Sequence, residues 1–98
     1  MSIDLHALAD QVGDEEDFLR FIAALAEDWG KDREIEASNP SPPYSASTLG
    51  WENGTIGTVL DAAARWGEAS INGLKSYEKA ENPWRRAAHI LLAGKFYE

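Results

Sequence analysis

The chain has 98 residues, which is enough for one hydrophobic core and too few for a second. Seventeen acidic and nine basic residues give a net charge of −8, which counts against a phosphate-backbone or anionic-membrane partner and favours a basic protein partner or plain solubility. The absence of cysteine excludes a disulfide scaffold, a thiolate zinc site and a thiol nucleophile, and it is compatible with the cytoplasm.

The start, Met1-Ser2-Ile3-Asp4, has neither the charged nor the apolar region of a secretory signal. The apolar run at Ile90-Leu91-Leu92-Ala93 is too short to span a bilayer. The expectation is therefore a cytoplasmic protein. Charge is uneven along the chain. Residues 1–36 hold 11 acids and 3 bases, whereas residues 37–98 hold 6 of each. One face of the fold is expected to be strongly negative.

Leu5, Leu8, Ala9 and Val12 recur at helical spacing, and Gly13 supplies a stop. Asp14 is the N-cap of the next helix, with Glu15, Glu16 and Asp17 in the first turn, where the helix dipole favours anions. Phe18, Ile22, Leu25 and Trp29, flanked by Leu19, Phe21 and Ala26, form its apolar stripe. Gly30 is a candidate end or bend, followed by a charged tail over 31–37. Ser38-Asn39-Pro40-Ser41-Pro42-Pro43 excludes helix and central strand, and it opens a polar connection over about 38–50.

Ile56, Val59, Leu60, Ala63 and Trp66 predict a helix over 55–70, capped by Asn53 or Thr55. A loop over 71–81 comes next. Asn82-Pro83-Trp84 places a capping residue before a proline at the first helical position. The stripe of this last helix is Trp84, Ala87, Ala88, Leu91 and Leu92. Gly94 closes it and leaves an aromatic tail, Lys95 to Glu98. The small residues Ala87, Ala88 and Gly94 would allow close helix approach. No strand and no internal repeat is legible. The architecture is all-α, a single small bundle of three main helices plus a short N-terminal one.

No catalytic, cofactor or metal site is expected. His6, Asp10 and Asp14 fall four apart, but Gly13 interrupts the helix and one histidine is a poor transition-metal set. His89 lacks the orienting group and the pocket that a general base needs, and reads as a half-buried structural histidine. Glu27, Asp28, Asp32, Glu34 and Glu36 form an acidic cluster that is either a solvated face or a docking surface for a cationic partner. Trp29, Trp66 and Trp84 fall on helical stripes and read as core. Trp51, next to the proline-rich connection, is the candidate exposed interface residue. Arg85 and Arg86 sit in a first helical turn, where cations oppose the dipole. Pairing with the acidic N-terminal segment is one compensation, and contact with a bound anion or partner is the other.

Three stretches carry a resemblance. They are Glu16-Asp17-Phe18-x-x-Phe21-Ile22, the run Trp51-x-Asn53-x-Thr55-Ile56 continuing through Leu60, Ala62 and Trp66, and the ending Asn82-Pro83-Trp84-Arg85 through Ala93-Gly94-Lys95-x-Tyr97-Glu98. Together they resemble a family of small uncharacterised bacterial proteins with no assigned activity. Such proteins are similar in size and acidity to immunity proteins that neutralise secreted toxins. The resemblance transfers no catalytic residue; the concentration of negative charge in residues 1–36 makes a non-catalytic module that docks a cationic protein, such as a toxin, the expected function. A structural homo-oligomer, with four tryptophans contributing surplus apolar surface to a twofold interface, is the alternative.

Overall fold

The structure, a computed structural model, describes residues 3–97. The expectations that fall on Met1, Ser2 and Glu98 lie outside the described residues. Four helices succeed one another: α1 (Leu5–Asp10), α2 (Glu15–Ser38), α3 (Ile56–Ala69) and α4 (Pro83–Phe96). Among the described residues there is no strand. An isolated antiparallel bridge joins Leu74 and Tyr77 inside the 70–82 loop.

Each helix starts where a side chain takes over a free backbone N–H. Asp4 accepts from Ala7, Asp14 from Asp17, and Asn82 from both Trp84 and Arg85. Thr55 and Thr58 form a reciprocal capping box at α3. Of the two cap candidates, Thr55 therefore starts α3, and Asn53 serves a different helix.

α4 is the centre of the fold. It packs against α1, α2 and α3, whereas α3 packs on no other helix. The core joins Leu5, Ala9 and Val12 to Phe21, Ala24 and Leu25 of α2, Ala88 and Leu92 of α4, and Trp51 of the connection. Gly94 does not close α4, as expected, but lies inside it. A Cβ there would come within 2.8 Å of the Val59 carbonyl oxygen, so glycine is what lets α3 and α4 meet backbone to backbone.

Two more expectations change. α2 does not end at Gly30, and the charged 31–37 tail is helical to Ser38. Glycine costs a helix about 1 kcal/mol relative to alanine. The second half of α2 offsets this because its Asp32 and Glu36 carboxylates accept hydrogen bonds from the connection. The apolar stripes are also rotated. α2 buries Phe21 completely and leaves Ile22 and Leu19 exposed, and α3 leaves Ile56 and Leu60 exposed while burying Ala62 and Ala63. The buried face of α2 runs on through Asp28 and Asp32, polar positions that apolar periodicity cannot count.

The acidic cluster and the aromatic pocket

Asp28, Asp32 and Glu36 stand one turn apart on α2, and all three face the connection beyond the helix. Trp51 Nε1 donates to Asp28 Oδ2 at 2.9 Å, and Leu49 N donates to Asp32 Oδ1 at 2.9 Å. The Ser41 and Thr48 hydroxyls each donate to Glu36 Oε2 at 2.7 Å. These three carboxylates are a ladder that holds residues 41–51 against the helix. The expectation of a solvent-facing cluster is corrected here for Asp28, Asp32 and Glu36, and it holds for Glu27 and Glu34, which are exposed.

Each rung has its own electrostatics. Asp32 is fully buried. Burial pushes its carboxyl up, but hydrogen bonds from the Leu49 amide, Arg33 and Ser47, with the Arg33 charge, hold it below the ordinary aspartate value. The Ser41 and Thr48 hydroxyls pull Glu36 down to about 2. Asp28 also meets Lys95, whose Nζ lies 2.7 Å from the same oxygen that takes the indole proton. Lys95 is itself buried, at 4% exposure, and packs over the Trp51 and Phe96 rings.

Trp51 is consequently the one buried tryptophan, not the exposed one. Its indole N–H has a buried acceptor and its ring meets Trp29 edge to face, 4.9 Å between centroids. The next two residues strap the end of α4. Glu52 N donates to the Lys95 carbonyl, and Asn53 Nδ2 donates to the carbonyls of Gly94 and Tyr97, both at 2.9 Å.

Arg85 and Arg86 pair with no carboxylate of the acidic segment. Arg85 Nε donates to the Val12 carbonyl and Asn82 Nδ2 to the Gly13 carbonyl, both at 3.0 Å, so the start of α4 grips the α1–α2 turn. Arg86 donates to the Gly67 carbonyl and to Ser70 Oγ, both at 2.9 Å, at the negative end of the α3 dipole. That placement offsets its unfavourable position in α4.

A cavity of about 330 Å³ lies among α1, α3, the 70–82 loop and the second half of α4. His6, Trp66, Tyr77, Phe96 and Tyr97 supply its rings, and Asp10 and His89 line it with them. His6 stacks on Phe96 at 5.0 Å, and Tyr77 meets Trp66 at 4.7 Å and His89 at 5.4 Å. A polar relay runs along one wall. Arg86 Nη1 donates to the Tyr77 hydroxyl at 3.4 Å, Tyr77 bonds His89 Nδ1 at 2.8 Å, and His89 Nε2 bonds Asp10 Oδ1 at 2.8 Å. Neutral His89 satisfies this network by donating from Nε2 to Asp10 and accepting from Tyr77 at Nδ1.

The orienting partners and the pocket that the sequence does not show beside His89 are thus both present. Both nitrogens of His89 are engaged, so the relay's direct effect is to fix the loop and to hold Asp10 at the rim. Asp10 is drawn to His89 and Asp14 caps α2, so His6, Asp10 and Asp14 do not converge, and no group of three metal-ligating side chains forms among the described residues. No described helix is long and apolar enough to cross a membrane.

Neither a search of the curated proteins nor one of the solved structures gives a match. A family model does match, over residues 14–98, from the cap of α2 to the end of the chain, with α1 lying ahead of the matched span. Asn53, Thr55, Asn82, Arg85 and Lys95, which are among the residues of the sequence resemblance, strap, cap and clamp this fold, and by its match over residues 14–98 the chain belongs to the family of unknown function DUF7660.

Proposed function

We propose that the protein is a non-catalytic binding module for a cationic protein, acting in the manner of a toxin-neutralising immunity protein. One observation carries the reading. Residues 4–17 hold six carboxylates and no lysine or arginine, and Asp4, Asp10, Asp14, Glu15 and Glu16 are all exposed. The negative pole therefore sits at α1 and the start of α2. In the 27–36 cluster, by contrast, Lys31 and Arg33 are interspersed among the five acids, with Arg33 bonded to Asp32, so that stretch is less negative. A field of this kind speeds encounter with a basic surface and makes association depend on salt.

The test is titration of the chain with the basic domain of a toxin encoded beside it, together with growth on co-expression. The expected result is restored growth and an affinity that falls at least about tenfold as ionic strength rises well past the Debye regime of about 0.1 M. An affinity flat across that range, or no complex, overturns the reading.

The outward face of α2 favours a second reading, a homo-oligomer. Leu19, Ile22, Ala23, Ala26 and Gly30 line one exposed stripe, and an antiparallel copy would set Glu16 against Arg33 at both ends. Light scattering at high micromolar concentration decides it, and a strict monomer removes it.

A further inference from the structure

We infer that the aromatic pocket is the receptor for a single arginine side chain of the partner. The inference rests on the cationic-partner reading and names the contact that reading lacks. The pocket, at about 330 Å³, lies at the small end of ligand cavities and has room for one long side chain. Its walls are the rings of Trp66, Tyr77, Phe96 and Tyr97 with the His6 imidazole. Aromatic faces attract a cation, most strongly when water is excluded, and guanidinium stacks on them better than ammonium because it is planar and weakly hydrated.

The charge at the rim has the right sign. Asp10 is the one carboxylate among the described lining residues. Its side chain is 70% exposed, its Oδ1 meets His89, and its Oδ2 has no hydrogen-bond partner among the described residues. The His89 bond holds the carboxylate in place, so a guanidinium meets an acceptor already oriented for a charge-assisted hydrogen bond.

Three cations of the chain itself touch the same walls, and Lys95 is one of them, with its Nζ 5.0 Å from the Phe96 ring centre. Arg65 lies 5.3 Å from the Tyr97 ring centre, and Arg86 lies 5.3 Å from that of Trp66 and 5.8 Å from that of Tyr77. All three are already engaged, Lys95 by Asp28 at 2.7 Å. Arg65 pairs with Asp61 at 2.9 Å, and Arg86 is held by the carbonyl end of α3. They stiffen the walls from the side of the chain itself. The pocket also shares Asp10 and His89 with a wider groove along residues 78–82, which gives the partner's backbone a place to lie.

The experiment uses small probes on the full chain. N-acetyl-arginine amide, its lysine counterpart and the neutral isostere N-acetyl-citrulline amide are titrated while NMR tracks the Trp66 indole N–H and the backbone amides of Asp10 and Tyr97. The arginine probe is expected to give saturable shifts at these positions with a dissociation constant of about millimolar order. Citrulline is expected to bind about tenfold more weakly, with lysine between them. Asp10→Asn keeps an acceptor for His89 and is expected to erase the preference for arginine over citrulline while the thermal midpoint stays unchanged.

Equal binding of arginine and citrulline overturns the inference, as does the absence of shifts at the pocket. The partner reading is judged separately. If the probes fail while a basic protein still binds in a salt-dependent way, the pocket is wrong and the acidic face stands. If the arginine probe titrates and no basic protein binds, the site stands and the partner is wrong.

Discussion

Residues 4–17 carry six carboxylates and residues 27–36 carry five, and the two stretches put them to different use. In the second stretch, Asp28, Asp32 and Glu36 point at the chain's own connection and receive indole, amide and hydroxyl protons from it. In the first, five of six are exposed, and their backbone bonds are short-range caps such as Asp4 to Ala7 and Asp14 to Asp17. The difference arises from the segment that packs on each stretch. A long proline-rich connection has few apolar side chains to bury, so its free N–H and O–H groups need acceptors. A carboxylate every turn of the neighbouring helix supplies them. Nothing comparable folds back over α1.

If this division is right, the largest effect belongs to Asp28. Asp28→Ala leaves the Lys95 ammonium buried without its counter-ion and takes the acceptor from Trp51 Nε1. Stranding a buried charge costs about 3–5 kcal/mol, a large part of the 5–15 kcal/mol typical of a domain. Urea denaturation should show that loss, and adding Lys95→Met should recover part of it. A loss below about 1 kcal/mol would mean that the pair is not buried in solution. Asp32→Ala comes next, at about 1–3 kcal/mol, because the Leu49 N–H is left without an acceptor. Amide exchange at Leu49 should accelerate more than exchange at Phe21 in the core.

Acid titration sharpens the same contrast. Asp32 and Glu36 both have carboxyls held lower in the folded chain than in the unfolded one, with Glu36 at about 2 against an ordinary 4.5. A depressed folded value stabilises the fold above the unfolded value, and that contribution disappears as pH falls toward the folded one. Stability should therefore decline between about pH 4.5 and pH 2 as the ladder takes up protons. Glu36→Gln should flatten part of that decline. A midpoint that does not move over this range, or a Gln variant with the full slope, would break the claim that the connection is held by ionised carboxylates.

Much of this fold is legible in the residues, because caps and breaks are local. Asp14, Thr55 and the Asn82-Pro83 pair mark helix starts, and three prolines within Pro40–Pro43 mark the break. The ladder is not legible, since its donors at 41–51 meet α2 only after the chain reverses. Trp51 escapes a sequence reading for the same reason: its environment is set by Asp28 and Lys95, which are far from it in sequence. The pocket is hidden because His6, Asp10, Tyr77 and His89 come from three separate segments. Composition carries the one signal of it, in that both histidines and two of the three tyrosines line it. Gly94 resembles a helix end because a glycine that ends a helix and one that admits a neighbour look the same in one sequence.

The smallest stability effect is expected where the functional effect should be largest. Glu15 and Glu16 are exposed in the first turn of α2, and Glu16 has one loose ion pair, 3.8 Å to Arg20. Replacing both with Gln gives up a favourable dipole interaction and little else, about 0.5 kcal/mol in a urea titration. The same change removes two of six charges from the exposed pole, so the association rate with a basic partner and its salt dependence should both fall, while dissociation stays nearly constant. Glu27→Gln with Glu34→Gln removes as much charge from the other stretch and should slow association less, because Lys31 and Arg33 already offset the charge there. Equal slowing by the two double variants would show that net charge alone steers the partner and that the placement of carboxylates at α1 and the start of α2 has no part in it. Unequal slowing, with both variants equally stable, ties recognition to the end of the molecule that leaves its acids to solvent.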